Sequence, residues 1–238
     1  MCGRFTLTWD HWRRIVDALG VDDDGEAAAS YRPRFNIAPT DEHFIITSEF
    51  ERRRARRAGW GLVNRWAKDN RRAAMCINAK AETLDRLPSF SDAFQQRRCV
   101  VPANGFFEWV GPKTKRQPLW IHPRSGGLLL FAGLYESWYP AKDRPEVTFT
   151  IVTCAANAMI AAIHDLMPVV LDERAADDWM NPRERDPLSL KRLLVPAPND
   201  LLAMRPASPL VNSVKNEGPA LLEVGEGSTP DLFESTRG

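Results

Sequence analysis

The sequence of 238 residues has few cysteines and none of the arrangements that usually bind metal ions. Cysteine occurs four times, at positions 2, 76, 99 and 154. No two of them form a C-x-x-C pair and none clusters with histidine, which argues against a zinc site. The start of the chain also lacks the apolar segment of a secretory signal, so we expect a reducing, cytoplasmic compartment in which the thiols stay free.

Long apolar runs and a dominant charge are missing as well. No run approaches the roughly 18 apolar residues of a membrane-spanning helix, so no membrane span is expected. The net charge is only +1, so no overall field attracts a polyanion. Charge is nevertheless uneven, because segment 51–57 holds five arginines. This run is either a solvated hairpin or a face that contacts phosphates, and the sequence leaves both interpretations open.

Short strand patterns punctuated by turn residues predict an α+β fold. A helix is expected over 9–19, because Trp12, Ile15, Val16 and Leu19 recur at helical spacing. Strands are expected at 44–47, 58–63, 98–103, 106–110, 119–122, 128–135, 147–154 and 168–171. Further helices are expected at 91–96, 156–163, 173–180 and 188–194, with Asp172 as an N-cap.

No linker or internal repeat divides the chain, so we expect a single domain. It should be built on curved antiparallel sheets with a barrel-like core and short peripheral helices, spanning residues 2–224. Residues 225–238 are expected to form a flexible tail.

The second residue is a cysteine behind an initiator methionine, which is normally removed when the next residue is small. Removal would leave an α-amine beside a thiol. The reference pKa of the amine is about 7.7–8.0 and that of the thiol is about 8.5. Such an aminothiol condenses with an aldehyde to an imine, and the thiol then closes a thiazolidine ring in an intramolecular step. A cysteine here is also compatible with an ordinary start that has no chemical role.

Three other residues carry reactive groups in apolar or turn segments. Glu108 lies among aromatic residues, where loss of water would raise the pKa of its carboxyl and suit it to acid–base chemistry, unless strand alternation turns it toward solvent. His164 follows a helix candidate and precedes a strand, where a lone histidine is commonly structural. Asn78 can orient an amine or carbonyl through its amide, but asparagine is also a common turn residue.

A series of short motifs, in fixed order and spacing, resembles one protein family. They are Met1–Phe5, Arg34–Thr40, Trp60–Val63 with Trp66–Lys68, Asn78–Thr83, Cys99–Ala103 leading to Phe107–Trp109, His164–Asp165 before Met167–Pro168, and Val211–Asn216. Together they resemble the SRAP family of abasic-site processing proteins, also called SOS-response-associated peptidases. The resemblance runs from Met1 to about Glu223 and implies an SRAP-type domain.

The resemblance implies a reaction with damaged DNA. In this family the mature N-terminal cysteine attacks the ring-opened aldehyde of an abasic site in single-stranded DNA and forms a stable thiazolidine cross-link. Transferred to this chain, Cys2 is the nucleophile and Asn78 positions its amine or the sugar. Glu108 transfers protons during imine formation and sugar-ring opening. His164 also transfers protons, and in the family it is tied to reversal of the link.

Two further activities are implied by the same resemblance. An imine intermediate permits β-elimination, so strand incision of the AP-lyase type is expected as a side activity. The peptidase name implies autocatalytic removal of Met1, with Cys2 as the nucleophile and Glu108 or His164 as the base.

Binding of single-stranded DNA is expected to be independent of sequence, through cations for phosphates and apolar platforms for bases. The expected DNA-binding residues lie in or near the matched motifs and are Arg4, Asn36, Pro39, Trp66, Lys80 and Glu82. Trp109 is either a stacking residue or part of the core. No cofactor, metal or membrane partner is expected, and the protein is expected to be a monomer that associates with the nucleoid when bound to DNA.

The chain departs from the family pattern at two places. Leu166 stands where an arginine is usual, and Asn64-Arg65 replaces a common Pro-Ser pair.

Two other functions remain open from the sequence. One is a thiol peptidase that uses Cys2, Glu108 and His164 on other proteins. The other is a noncatalytic module that binds nucleic acid.

Overall fold

A computed structural model describes residues 2–22, 25–50, 52–112, 114–141 and 144–223. The expected tail at 225–238 therefore lies outside the described residues. The strands are β1 (Phe5–Leu7), β2 (Val21–Asp22), β3 (Arg34–Ile37), β4 (Glu42–Glu49), β5 (Arg52–Trp60), β6 (Asn78–Lys80), β7 (Arg98–Ala103), β8 (Gly105–Val110), β9 (Gln117–Pro123), β10 (Leu129–Ala141), β11 (Arg144–Ala155), β12 (Leu166–Pro168), β13 (Val170–Leu171) and β14 (Leu202–Pro206).

The helices are short and lie between these strands. They are α1 (Trp12–Leu19), α2 (Glu26–Ser30), α3 (Ser91–Gln96), α4 (Ala158–Ala161), α5 (Glu173–Met180) and α6 (Pro187–Arg192), with 3₁₀ turns at Ala73–Met75, Pro209–Asn212 and Pro219–Leu221. None of the helices in the described ranges has both the length and the apolar composition needed to cross a membrane.

Two sheets form the core. The smaller has the strand order β14-β9-β8-β1-β3, and the larger has the order β12-β11-β10-β7-β4-β5-β2, with β13 paired to β10 and β6 to β11. Strand β5 also pairs in parallel with β11, through Gly59 opposite Thr148 and Trp60 opposite Phe149. This pairing closes β5, β4, β7, β10 and β11 into a five-stranded barrel. The predicted α+β fold with a barrel-like core is confirmed.

The amino-terminal strand is anchored to this barrel by the ring of Phe5. The ring is fully buried and packs edge-on against His43, Trp60 and Phe131, at centroid distances of 4.8, 5.0 and 6.3 Å. Burial of an aromatic ring among other rings is a large apolar contribution with a preferred geometry. The backbone three residues after Cys2 is therefore held in one place.

Several predicted elements match the structure closely. Strand β7 and helices α3 and α5 have the predicted limits, and the Asp172 carboxylate caps α5 by accepting a hydrogen bond from the Ala175 amide at 2.7 Å. The strand predicted at 58–63 is wrong in its limits, because β5 begins at Arg52 and ends at Trp60. The chain turns away at Gly61, whose φ of 132° is a conformation that side chains disfavour.

The arginine run belongs to β5 and forms a hairpin with β4. Four of its five arginines contact carboxylates: Arg52 contacts Asp22, Arg53 contacts Asp177, Arg56 contacts Glu49 and Arg57 contacts Glu42. These ion pairs neutralise much of the local charge. The run is therefore an ion-paired strand rather than an open row of cations, which favours the hairpin interpretation.

Replacing Phe5 by alanine should lower the free energy of unfolding by about 3–5 kcal/mol, because it empties the centre of the aromatic cluster. Urea titration followed by circular dichroism measures this loss. Phe50, whose side chain is 96% exposed, supplies the matched control. Phe50→Ala should change the unfolding free energy by less than about 0.5 kcal/mol. Equal effects of the two substitutions would show that Phe5 is not an anchor.

Candidate active site

The pairing of β1 with β8 places the start of the chain beside Glu108. Phe5 lies opposite Phe106, and the Phe107 amide donates a hydrogen bond to the Arg4 carbonyl at 2.9 Å. Continuing this antiparallel register puts Gly3 level with Glu108. The carboxyl group of Glu108 is therefore carried on the strand that runs next to Cys2.

Asn78 holds the backbone of Cys2 from another direction. It is the first residue of β6, where it pairs with Ile151 of β11. Its side-chain Nδ2 donates a hydrogen bond to the Cys2 carbonyl at 2.9 Å. The Oδ1 atom of the same amide is buried and has no hydrogen-bond partner within the described ranges. Asn78 thus fixes Cys2 and retains one acceptor for another group.

The Cys2 thiol is kept in its neutral form. The side chain is fully buried, and its Sγ lies 3.8 Å from the Arg4 carbonyl, to which the thiol donates. Burial, and secondly the negative charge of Glu108, raise the pKa of this thiol well above its usual value. A thiol of this kind needs a base beside it before it can act as a nucleophile.

Glu108 has the properties of such a base. Its side chain is only 5% exposed. Burial raises the pKa of the carboxyl to about 7, against the opposing influence of the positive charge at the start of the chain and of Arg116. A carboxyl with this pKa can both give and take a proton near neutral pH. The expectation of a desolvated carboxyl, rather than one turned to water, is confirmed.

His164 lies just ahead of β12 with its ring orientation fixed. The Leu166 amide donates to Nδ1 at 2.9 Å, and the Leu166 carbonyl lies 3.1 Å from the same nitrogen. The two contacts favour opposite tautomers, because the N–H needs an acceptor at Nδ1 and the carbonyl needs a donor there. Burial, followed by the positive charge at the start of the chain, lowers the pKa of the imidazole. His164 is therefore electrostatically coupled to the same terminus as Glu108.

Strand β11 brings Asn78 and His164 to the same end of the barrel. Its residue Thr153 pairs with Lys80 of β6 on one side and with Pro168 of β12 on the other. The hydroxyl of Thr153 is buried and lacks a hydrogen-bond partner in the part of the chain that the structure describes. Thr153 was not anticipated, because an isolated threonine in a strand has no distinguishing pattern.

Arg4 and Asn36 connect the start of the chain to its closing segment. Arg4 Nη1 donates to Asn36 Oδ1 and to the Val211 carbonyl, both at 2.7 Å. Asn36 Nδ2 donates to the carbonyls of Ser213 and Asn216 at 2.9 Å. Asn36 is fully buried, so it has no surface to offer to DNA and links two parts of the fold.

Trp66 is exposed on a loop that is held firmly. Its side chain is 67% exposed. Three hydrogen bonds tie the loop to β10 and β11: Val63 N–H to Thr148 Oγ1 at 2.9 Å, Arg65 N–H to Glu136 Oε2 at 3.1 Å, and Trp138 Nε1 to the Ala67 carbonyl at 2.8 Å. Trp66 therefore presents its indole to solvent from a loop with a fixed backbone.

The remaining candidates for DNA binding have exposed or half-exposed side chains. Lys80 is exposed, two residues after Asn78 on β6, so both side chains lie on the same face of the strand. Glu82 is exposed just beyond this strand, and Pro39 is half-buried after β3. Trp109 is half-buried, and its Nε1 donates to Asn212 Oδ1 at 2.7 Å.

Four side chains of different chemistry thus surround the start of the chain: a neutral thiol, a carboxyl that titrates near neutral pH, an amide and an imidazole. Within the described ranges, no three histidine, cysteine, aspartate or glutamate side chains are grouped so that they could hold a metal ion. The four described cysteines are free thiols.

Comparison with known proteins identifies the family. The family model described as SOS response associated peptidase (SRAP) matches residues 1–214. The chain belongs to the SRAP family. It is 40% identical over 228 residues to the abasic site processing protein YoqW of Bacillus subtilis, a match that covers 94% of this chain and 99% of that protein. It is 30% identical over 232 residues to the abasic site processing protein YedK of Escherichia coli, with the same coverage of both chains.

The fold of the family is also present in solved structures. A crystal structure of a Bacteroides thetaiotaomicron protein superimposes with a TM-score of 0.83 at 22% identity, covering 94% of this chain and all of that one. At that identity the likeness concerns the fold alone. The SRAP-type domain expected from the motifs is confirmed by these comparisons.

Glu108 should make the stability of the protein depend on pH in a defined direction. Its pKa is about 7 in the folded chain against a usual value of 4.5, so between these values the folded chain holds a proton that the unfolded chain has lost. This stabilisation is complete below about pH 4.5 and is lost as the pH rises through 7. The unfolding free energy of Glu108→Gln minus that of wild type should therefore rise by roughly 3 kcal/mol from pH 4 to pH 8. Urea titrations that give the same difference at both pH values would contradict the assignment.

Proposed function

We propose that this protein captures abasic sites in single-stranded DNA by forming a thiazolidine between Cys2 and the aldehyde of the deoxyribose. The observation that carries the proposal is the meeting of Cys2, Asn78, Glu108 and His164 around the start of the chain. The names of the relatives YoqW and YedK, both abasic site processing proteins, support the same class of substrate.

The reaction begins once Met1 has been removed and the Cys2 α-amine is free. The neutral amine adds to the aldehyde carbon of the ring-opened sugar, and Glu108 in its protonated form delivers a proton to the departing oxygen. One water leaves and an iminium ion remains, whose nitrogen keeps one hydrogen. The resulting Glu108 carboxylate accepts the proton of the Cys2 thiol, and the sulfur adds to the iminium carbon, so that the ring nitrogen ends neutral. The product is a thiazolidine, with one water released overall.

The raised pKa values suit this sequence of steps. The thiol of Cys2 is a poor nucleophile until its proton is taken, because burial disfavours the thiolate. Glu108, with a pKa of about 7, is present in both protonation states at neutral pH and can serve each step in turn. Asn78 holds the Cys2 carbonyl at 2.9 Å and leaves its Oδ1 free to accept from the amine or from a sugar hydroxyl.

His164 supplies a second proton from its imidazole ring, which is held in place by the backbone of Leu166. Reversal of the link requires a proton on the departing sulfur, and His164 is proposed to deliver it. The imine also permits β-elimination of the 3′ phosphate, which would give AP-lyase activity as a minor route. These assignments are transferred from the family motif and agree with the geometry of the side chains.

Removal of Met1 is proposed to use the same groups. The Glu108 carboxylate takes the thiol proton as the Cys2 sulfur attacks the Met1 carbonyl carbon. It passes that proton to the amide nitrogen, which departs as the amine, and water then cleaves the thioester. The products are methionine and the free aminothiol. Because the Cys2 side chain is fully buried while Met1 is attached, we expect a sugar to reach the sulfur only after this step.

DNA is proposed to cross the face that carries Lys80 and Trp66. Lys80 lies on the same side of β6 as Asn78 and would contact a phosphate next to the abasic sugar. Trp66 would stack with a neighbouring base, since its indole is exposed on a fixed loop. Arg4, Pro39 and Glu82 would border this path, whereas Asn36 would act indirectly by holding segment 211–216.

A peptidase acting on other proteins is less compatible with the geometry. Such an enzyme must bring an extended backbone to its thiol, and the Cys2 side chain is fully buried. A terminal aldehyde on a flexible sugar is much slimmer than a peptide backbone. The buried thiol therefore favours capture of a small carbonyl over proteolysis in trans.

Substitution of Cys2 separates the two nucleophiles of the aminothiol. The wild-type protein should form an adduct with abasic single-stranded DNA that survives denaturing electrophoresis. Cys2→Ser keeps the amine but cannot close the sulfur-containing ring, so its adduct should appear only after borohydride reduction of the imine. Cys76→Ser, which alters a half-buried thiol that this mechanism does not use, should behave as wild type.

The result that would overturn the proposal is equal, unreduced adduct yield from Cys2→Ser and wild type. Cleavage of a peptide panel by wild type, lost in Cys2→Ser and without any DNA adduct, would favour the peptidase instead. DNA binding that is fully reversed by high salt in every variant would favour a noncatalytic module.

A further inference from the structure

A groove of about 630 Å³ lies beside the candidate active site, at the tip of the β8–β9 hairpin. Its walls include Arg4, Trp109, Lys115, Arg116, Gln117 and Asn212. No aspartate or glutamate is among the described residues that line it. The grooves around the arginines of β5 differ in this respect, since each is lined by acidic side chains as well.

Two cations of this groove form no ion pair with the described residues. Lys115 and Arg116 are both exposed, and neither has a carboxylate within ion-pair distance among the described residues. In β5, by contrast, four of the five arginines have such a partner. Exposed cations without local partners attract anions from solution, and two of them in sequence match the repeated charge of a phosphodiester chain.

The groove is connected to the reactive end of the chain at two points. Arg4 lines the groove and lies only two residues from Cys2. The positive charge of Arg116 lowers the pKa of Glu108, so this arginine lies within electrostatic range of the proposed base. A strand whose abasic sugar meets Cys2 would therefore reach the groove within a short distance.

An aromatic wall completes the groove. Trp109 follows Glu108 in β8, its ring faces the Arg4 guanidinium at 5.8 Å from the centroid, and its Nε1 is bound to Asn212 Oδ1 at 2.7 Å. The indole is therefore held in a fixed orientation while part of its surface stays exposed. A flat aromatic surface beside exposed cations is the combination that binds single-stranded nucleic acid without sequence preference.

We propose that this groove is a phosphodiester-binding subsite that holds the DNA strand on one side of the abasic sugar, with Lys115 and Arg116 contacting successive phosphates. The inference rests on the proposed capture of abasic DNA and adds a second, separate region of contact to the face that carries Lys80 and Trp66.

The test compares wild type with a double variant that carries both Lys115→Ala and Arg116→Ala. The ligand is an intact single-stranded oligonucleotide without any abasic site. Two lost phosphate contacts should reduce the slope of log K against log salt concentration by about 1.4, at about 0.7 for each contact to a single strand. A second double variant, with Lys115→Arg and Arg116→Lys, keeps both charges and should keep the slope. Arg174→Ala with Arg192→Ala removes two exposed cations from α5 and α6, outside the groove, and should leave the slope unchanged.

A second arm identifies the side of the strand that occupies the groove. Abasic oligonucleotides are prepared with a tail only on the 5′ side or only on the 3′ side of the lesion. Wild type should lose affinity when one particular tail is removed, and the double alanine variant should be insensitive to that same removal.

The outcomes separate this inference from the proposed reaction. An unchanged salt slope in the double alanine variant, or equal sensitivity of variant and wild type to both truncations, would overturn the groove assignment even if adducts form normally. If no adduct forms with any protein, the capture reaction fails, while the salt slope with intact DNA still decides whether the groove binds phosphates.

Discussion

The pairing of β1 with β8 is the constraint on which the candidate site depends. A chain terminus is ordinarily the least ordered part of a domain. Here the burial of Phe5 among aromatic rings and the backbone bonds to β8 hold the residues that follow Cys2 in a single register. Asn78 adds a hydrogen bond to the Cys2 carbonyl itself. A thiol near a chain terminus is thereby held with the positional precision of a side chain within a sheet.

The same burial sets the electrostatics of the site. Removing the Cys2 thiol and the Glu108 carboxyl from water disfavours both of their charged forms, and Glu108 disfavours the thiolate further. Because the thiol is neutral when the carboxyl titrates, it does not hinder the ionisation of Glu108. The thiol is therefore protonated at neutral pH, beside a carboxyl whose pKa is about 7. The positive charge at the start of the chain acts on Glu108 and His164 together, which couples the two proton carriers.

Much of the fold could be read from the sequence because its strands and helices have strong local patterns. The limits of β7, α3 and α5 followed from apolar runs, turn residues and the cap at Asp172. Strand β5 was misplaced because its arginines conceal the strand pattern, and only tertiary partners such as Asp177 and Glu49 show why they belong in a sheet. Barrel closure through Gly59 and Thr148 could not be anticipated, because parallel pairing between distant strands has no local signal.

The site residues were found through family motifs rather than through spacing. Cys2, Asn78, Glu108 and His164 are far apart in the chain, and composition alone could not bring them together. The motifs also suggested a DNA-contacting role for Asn36, whereas the structure shows a fully buried link to segment 211–216. Lys115 and Arg116 have no distinguishing pattern in the sequence, because a short basic pair in a hairpin looks like ordinary solvated surface. Only the fold shows that neither forms an ion pair with a described residue.

The central claim is that Cys2, freed of Met1, reacts with a sugar aldehyde through both its nitrogen and its sulfur. Intact-mass measurement of the purified protein, before and after incubation with an abasic oligonucleotide, tests it most directly. The account predicts a starting mass without Met1 and a product equal to protein plus oligonucleotide minus one water, with no reducing agent present. A cross-linked product that still carries Met1, or an unmodified protein after full incubation, would contradict it.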